Sequence, residues 1–132
     1  MNKIKILFYK DSLDYGGDTK FLLNVIKFCK NYDIKMVLGV KRKYDKLFLR
    51  GFSSLKIYYI KNFIKLADKK NLESKIKNKL IYSLLPIRFL FLGIEFKKIF
   101  KKTNPDISFS FNGGFPGSYN ALLFSFIAGY LN

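Results

Sequence analysis

Two glycine-containing loops are the features of this sequence best suited to binding a ligand. The first loop contains Gly16 and Gly17, and the second is the stretch NGGFPGS at residues 112–118. Each loop follows an apolar stretch and precedes a helical pattern. The backbone amides of a helix N-terminus would then lie at the carboxyl edge of a sheet, where anionic ligands bind. The alternative is that the paired glycines only turn the chain.

Candidates for acid–base chemistry are few. The chain has no histidine, which excludes the Ser-His-Asp and Cys-His arrangements and any histidine metal site. Asp11, Asp14 and Asp18 surround the first glycine loop and form the carboxylate cluster nearest to it. We interpret Asp18 as a helix-start residue rather than a base, because a carboxylate in the first turn favours a helix. The sequence therefore predicts no catalytic residue and no metal site.

The glycine loops do not carry the common nucleotide-binding motifs. Neither loop contains the dinucleotide fingerprint G-x-G-x-x-G or the P-loop pattern G-x-x-x-x-G-K. This absence argues against a nicotinamide-dependent enzyme and against a nucleotide hydrolase.

The elements that position these loops alternate between strand and helix patterns. Apolar or alternating runs predict strands over residues 4–9, 34–40, 55–60 and 106–111. Helical spacing predicts helices over 18–30, 71–84, 86–102 and 119–130, with a short turn at 44–48 and a basic stretch at 61–70. Cys29, the single cysteine, falls on the inner face of the first helix, and we interpret it as a core residue.

This alternation predicts an α/β fold, a Rossmann-like parallel sheet of about four strands flanked by helices. With 132 residues, the chain suffices for one domain, over 1–132. In the doubly wound order, the first and fourth strands are neighbours and a crevice opens between the two glycine loops. The predicted substrate-binding residues are Gly16, Gly17, Asn112, Gly113 and Gly114.

The charge of the chain favours an anionic partner. The formal net charge is +16, and only Arg42, Arg50 and Arg88 are arginines. Because lysine suits diffuse attraction to headgroups better than specific base contacts, an anionic membrane is favoured over nucleic acid. Lys97, Lys98, Lys101 and Lys102 are the predicted membrane-surface residues.

The apolar stretch at residues 80–94 is too short to span a bilayer and contains Arg88 and Pro86. It suits either an interfacial helix or an ordinary crossover helix on the sheet. The opening residues lack the pattern of a signal peptide. We therefore expect a cytoplasmic protein, peripheral on the inner face of the plasma membrane if the interfacial alternative holds.

Two segments of the chain together resemble a known protein family. The stretches KIKILFYKDSLDYGGDTKFLLNVIKFCK (3–30) and NPDISFSFNGGFPGSYNALLFSFIAG (104–129) resemble the amino-terminal half of GT-B fold glycosyltransferases, the large retaining group 1 (family 4) enzymes. The resemblance extends over essentially the whole chain. It rests on the order and spacing of the first strand, the Gly16–Gly17 loop, a later Pro-Asp strand and the second glycine loop.

The resemblance implies an acceptor-binding Rossmann-like domain whose glycine loop reaches towards the phosphates of a nucleotide diphosphate sugar. In the family, a carboxyl-terminal domain holds that donor through a pair of glutamates, which Glu73 and Glu95 cannot be. Many members also place a histidine in the loop after the fourth strand, where this chain has Asn112. The donor-binding half is therefore expected to be missing from this chain, which would be a truncated form or one half of a split enzyme.

We accordingly expect the acceptor-side domain of a glycosyltransferase that acts on a glycan or lipid-linked acceptor in cell-surface polysaccharide assembly. The isolated chain is expected to be inactive and to need no cofactor, with a separate donor-domain chain as a partner. The alternative is a noncatalytic basic α/β module that binds anionic membranes or polyanions through its lysines.

Overall fold

The computed structural model describes residues 3–13, 16–39, 45–52, 54–60, 83, 85–111 and 119–131. Four strands form one sheet: β1 (Lys5–Lys10), β2 (Asp33–Leu38), β3 (Lys56–Tyr59) and β4 (Ile107–Phe111). The helices are α1 (Gly17–Phe28), the short α2 (Asp45–Phe48), α3 (Leu85–Thr103) and α4 (Tyr119–Leu131). These elements confirm the predicted strands and most of the predicted helices. Predictions at 61–70 and, apart from Ser83, at 71–84 lie outside the described residues.

The sheet is parallel throughout, with the strand order β3-β2-β1-β4. The chain winds outward from β1 through β2 to β3, and then returns to the other side of β1 to form β4. This order confirms the predicted α/β class, and it makes the first and fourth strands neighbours. The carboxyl ends of β1 and β4 meet where the winding reverses, with Lys10 in register with Phe111.

Alternation along β1 sends its side chains into two separate cores, one on each face of the sheet. Ile6 and Phe8 face α1 and join a core with Leu22 and Ile26 of that helix. Leu7 and Tyr9 face α3 and α4. Because both faces of β1 are covered, its apolar run is continuous, as expected for the centre of a parallel sheet. Cys29 is partly buried against the α1 core, as predicted.

Helix α3 has a buried stripe and an exposed stripe. The buried stripe contains Leu92, Phe96, Phe100 and Thr103. The exposed stripe is apolar in the first half of the helix and basic in its second half. Its members are Ile87, Leu90, Phe91, Ile94, Lys97, Lys98, Lys101 and Lys102. Among the helices that the structure describes, none is both long and apolar enough to cross a bilayer.

Candidate functional site

The first glycine loop ends at the start of α1, beside the carboxyl end of β1. Gly16 is the N-cap residue of α1, with an extended backbone (φ −117°, ψ 162°), and no side chain among the described residues caps the helix there. Gly16 O accepts a hydrogen bond from Lys20 N at 3.2 Å. Because Gly16 and Gly17 carry no side chains, the backbone amide at the first position of the helix can face an anionic ligand.

Gly17 is the most exposed position of this start. A Cβ atom built on Gly17 would have no atom within 4 Å, and its backbone does not require glycine. The absence of a side chain here is therefore not needed for folding. It leaves open space where a ligand can approach the backbone closely.

Next to the helix start, Lys10 and Asp18 form an ion pair in which Lys10 is buried and Asp18 is partly exposed. Lys10 Nζ donates a hydrogen bond to Asp18 Oδ2, and the Lys10 side chain is 4% exposed. Asp18 Oδ1 accepts a second hydrogen bond from Thr19 N at 2.8 Å. The hydrogen bond from Lys10 lowers the pKa of Asp18 below its ordinary value, although partial burial opposes the shift. Asp18 is therefore an ionised helix-start residue and a poor base, which agrees with its interpretation from the sequence.

On the other face of β1, the Tyr9 hydroxyl donates a hydrogen bond to Asp11 Oδ1. The Tyr9 ring is fully buried among α3 and α4 side chains, so its hydroxyl holds Asp11 at the edge of the sheet. Asp11 and Asp18 are thus held by different partners on the two faces of β1. Asp14, the third predicted member of the carboxylate cluster, lies outside the described residues.

Of the predicted substrate-binding residues, the structure describes Gly16 and Gly17. Gly16 and Gly17 lie at the carboxyl edge of β1, and β4 ends beside them at Phe111, whose ring centre is 6.0 Å from that of Phe21 in α1. Asn112, Gly113 and Gly114, the other predicted substrate-binding residues, lie outside the described residues. Across the described ranges, no group of three or more potential metal ligands occurs.

The four predicted membrane-surface lysines lie on the last turns of α3. Lys97, Lys98, Lys101 and Lys102 are all exposed. Lys102 Nζ also lies 5.7 Å from the centre of the Tyr58 ring on β3. These lysines are on the opposite face of the sheet from α1, so they do not contribute to the helix start at Gly16.

Sequence reasoning missed the burial of Lys10 because a lysine at the end of an apolar run is normally a strand boundary. The signal available was its spacing: Lys10 falls two residues after Phe8 and therefore on the same covered face.

Comparison of the chain with protein-family models, curated proteins and solved structures found no match.

Proposed function

We propose that this chain is the acceptor-side, amino-terminal domain of a GT-B type glycosyltransferase. In the complete enzyme, a sugar passes from a nucleotide diphosphate sugar to a hydroxyl of a glycan or lipid-linked acceptor. The observation that carries the proposal is the position of Gly16 and Gly17, which begin α1 at the carboxyl edge of β1 where the winding of the sheet reverses. Ligands of open α/β sheets bind at this place.

The start of α1 would act through its backbone. Amide groups and the positive end of the helix dipole favour the negative charge that develops on a leaving diphosphate. The Lys10–Asp18 pair supports this role because Lys10 compensates the one carboxylate in the first turn of the helix. Phosphate oxygens would otherwise meet an uncompensated negative charge.

The proposal assigns positioning and charge stabilisation to this domain and no proton transfer. Asp18 is held ionised by Lys10, and Asp11 accepts the hydrogen bond from Tyr9. In the complete enzyme, a donor-binding domain, on the same or a separate chain, would supply the opposite wall of the cleft. We expect the isolated chain to bind ligands weakly and to transfer no sugar.

Substitutions at Gly17 test the proposal with little risk to the fold. Gly17→Leu places a side chain over the helix start, and we expect it to abolish binding of uridine diphosphate glucose in a calorimetric titration. Gly17→Ala is the matched control, with a methyl group in open space, and should weaken binding less. Unaltered binding by Gly17→Leu, with an unaltered thermal transition, would remove the glycine loop from the ligand site.

A second candidate function is attachment to an anionic membrane surface, with or without the glycosyltransferase role. The observation that favours it is the exposed stripe of α3, in which Leu90 is 69% and Phe91 is 55% exposed. The exposed lysines of the last turns continue the same stripe. An interfacial helix needs both features, because its apolar side chains insert into the membrane surface and its lysines attract the anionic headgroups.

Vesicle sedimentation tests this candidate. Lys97→Glu combined with Lys98→Glu should release the chain from vesicles of anionic phospholipid, because each lysine near the surface contributes about 1 kcal/mol. Lys20→Glu combined with Lys46→Glu makes the same charge change at exposed positions on α1 and α2 and should have a smaller effect. Binding that is indifferent to anionic lipid and to salt would contradict membrane attachment through these lysines.

A further inference from the structure

A cavity of about 670 Å³ opens at the amino edge of the sheet, at the opposite end of β1 from the glycine loop. Its walls come from Lys3, which precedes β1, from the end of α1, from the start of β2, and from the connection that leads to β3. A volume of this size is in the range of small-molecule sites. The function proposed above makes no use of this cavity.

The wall next to β3 is built by a tight turn. Gly51 has φ +92°, a backbone conformation that residues other than glycine rarely adopt. Phe52 N donates to Leu49 O and Leu55 N donates to Phe52 O, both at 3.0 Å. The turn places Arg50 and Phe52 in the lining of the same cavity, one basic and one aromatic.

The rim of the cavity is strongly basic. Lys3, Lys27, Lys30 and Arg50 line it, and all four are exposed. Asp33 is the single carboxylate among the lining residues, and it forms an ion pair with Lys35 at 2.9 Å. The lining therefore has a clear excess of positive charge, and a concave arrangement of cations concentrates the field on an anion inside it.

The remaining lining is mainly apolar. Ile26 is 4% exposed, and Ile34, Phe52 and Leu55 are half-buried beside it. Tyr32 adds a second aromatic ring. An inorganic anion alone would leave this apolar surface uncovered, whereas a ligand with a flat apolar body would cover it.

We propose that this amino-edge cavity binds a phosphate ester that carries a flat apolar body. The phosphate lies among the basic rim residues, with Arg50 able to offer two parallel N–H donors to its oxygens. The apolar body lies against Ile26, Ile34 and Phe52. The inference is independent of the glycosyltransferase proposal, because the two sites lie at opposite edges of the sheet.

Titration of the isotope-labelled chain with adenosine monophosphate tests the proposal, with adenosine and inorganic phosphate as partial probes. Adenosine monophosphate should bind at least about tenfold more tightly than either partial probe. Its amide shifts should fall at residues 30–34, 50–52 and 54–55, and not at 16–19. Equal affinity for inorganic phosphate, no binding, or shifts confined to 16–19 would overturn the proposal without touching the glycosyltransferase one.

A pair of charge-matched variants separates a specific site from general attraction to a basic protein. Lys27→Glu combined with Arg50→Glu should weaken binding of adenosine monophosphate by about tenfold or more. Lys97→Glu combined with Lys98→Glu carries the same change in net charge on α3 and should leave the affinity within about twofold. Equal losses in the two double variants would show nonspecific attraction and would overturn the proposal.

Discussion

At the scale of single residues, Lys10 is the side chain that most constrains the candidate site. It is a lysine on a covered face of the central strand, and its side chain is 4% exposed. A buried ammonium group is tolerated only when a partner compensates the lost hydration. Asp18 is that partner, and it lies in the first turn of the helix that begins at the glycine loop. The ion pair therefore connects the first turn of α1, next to the glycine loop, to the end of β1.

Asp18→Asn removes the compensating charge and leaves Lys10 buried beside a neutral amide. We expect the free energy of unfolding to fall by about 1–3 kcal/mol at neutral pH, measured by urea denaturation. Lys10→Met is the matched control, because it fills a similar volume and leaves a carboxylate that water can reach. It should cost less than Asp18→Asn. A larger cost for Lys10→Met would contradict the compensating role of Asp18.

The same pair predicts a pH dependence with a definite sign. The pKa of Asp18 in the folded chain is below its ordinary value of 3.8, chiefly because Lys10 donates a hydrogen bond to the carboxylate. The stabilisation is thus complete above about pH 3.8 and is lost as the pH falls through the lower, folded pKa. The difference in unfolding free energy between the wild type and Asp18→Asn should shrink only in that acidic range. A difference that shrinks already between pH 7 and 5 would contradict this assignment.

At the scale of elements, α4 is held by a cluster of aromatic rings. The Phe124 ring centre lies 4.9 Å from that of Tyr9, 5.3 Å from that of Phe96 and 5.1 Å from that of Phe100. This cluster joins α3 and α4 to the same strand whose end forms the candidate site. Tyr9 connects the aromatic cluster to the end of β1, because its ring packs in the cluster and its hydroxyl donates a hydrogen bond to Asp11.

Phe124→Ala should lower the free energy of unfolding by about 3–5 kcal/mol, because it removes a fully buried ring from a packed cluster. Phe126→Ala, two residues further along the same helix, removes a ring that is 70% exposed and should change stability by less than about 0.5 kcal/mol. Thermal and urea denaturation measure both. Similar losses for the two variants would mean that α4 does not pack on the sheet through Phe124.

The elements were largely predictable from the sequence because their apolar patterns are strong. The continuous run in β1 and the alternation in β4 both predicted strands, which the structure confirms. The spacing in α1 was less informative about burial. Phe21 and Phe28 belong to the apolar set of the helix, yet they are 61% and 88% exposed, because they lie more than about 100° around the helix axis from the buried stripe of Leu22 and Ile26. The spacing of apolar residues predicts that a helix forms, but the number of its side chains that become buried depends on which elements pack against it.

At the scale of the whole molecule, the strand order gives the sheet two chemically different edges. The carboxyl edge carries the start of α1 and the ion pair of Lys10, and the amino edge carries the basic cavity around Arg50. At the carboxyl edge, the sequence predicted the start of α1, because glycine loops and strand ends are local patterns, but it did not predict the ion pair of Lys10. The sequence did not predict the basic cavity at the amino edge, because its lining residues come from four segments that only the folded sheet brings together.

The most direct measurement of the central claim is the set of backbone amides that respond when the isotope-labelled chain is titrated with uridine diphosphate glucose. We predict shifts at Gly16, Gly17, Asp18 and Thr19, with a weaker response at Phe111, and the loss of these shifts in Gly17→Leu. Shifts confined to the amino edge or to α3, or shifts at 16–19 that persist in Gly17→Leu, would contradict a diphosphate site at the start of α1.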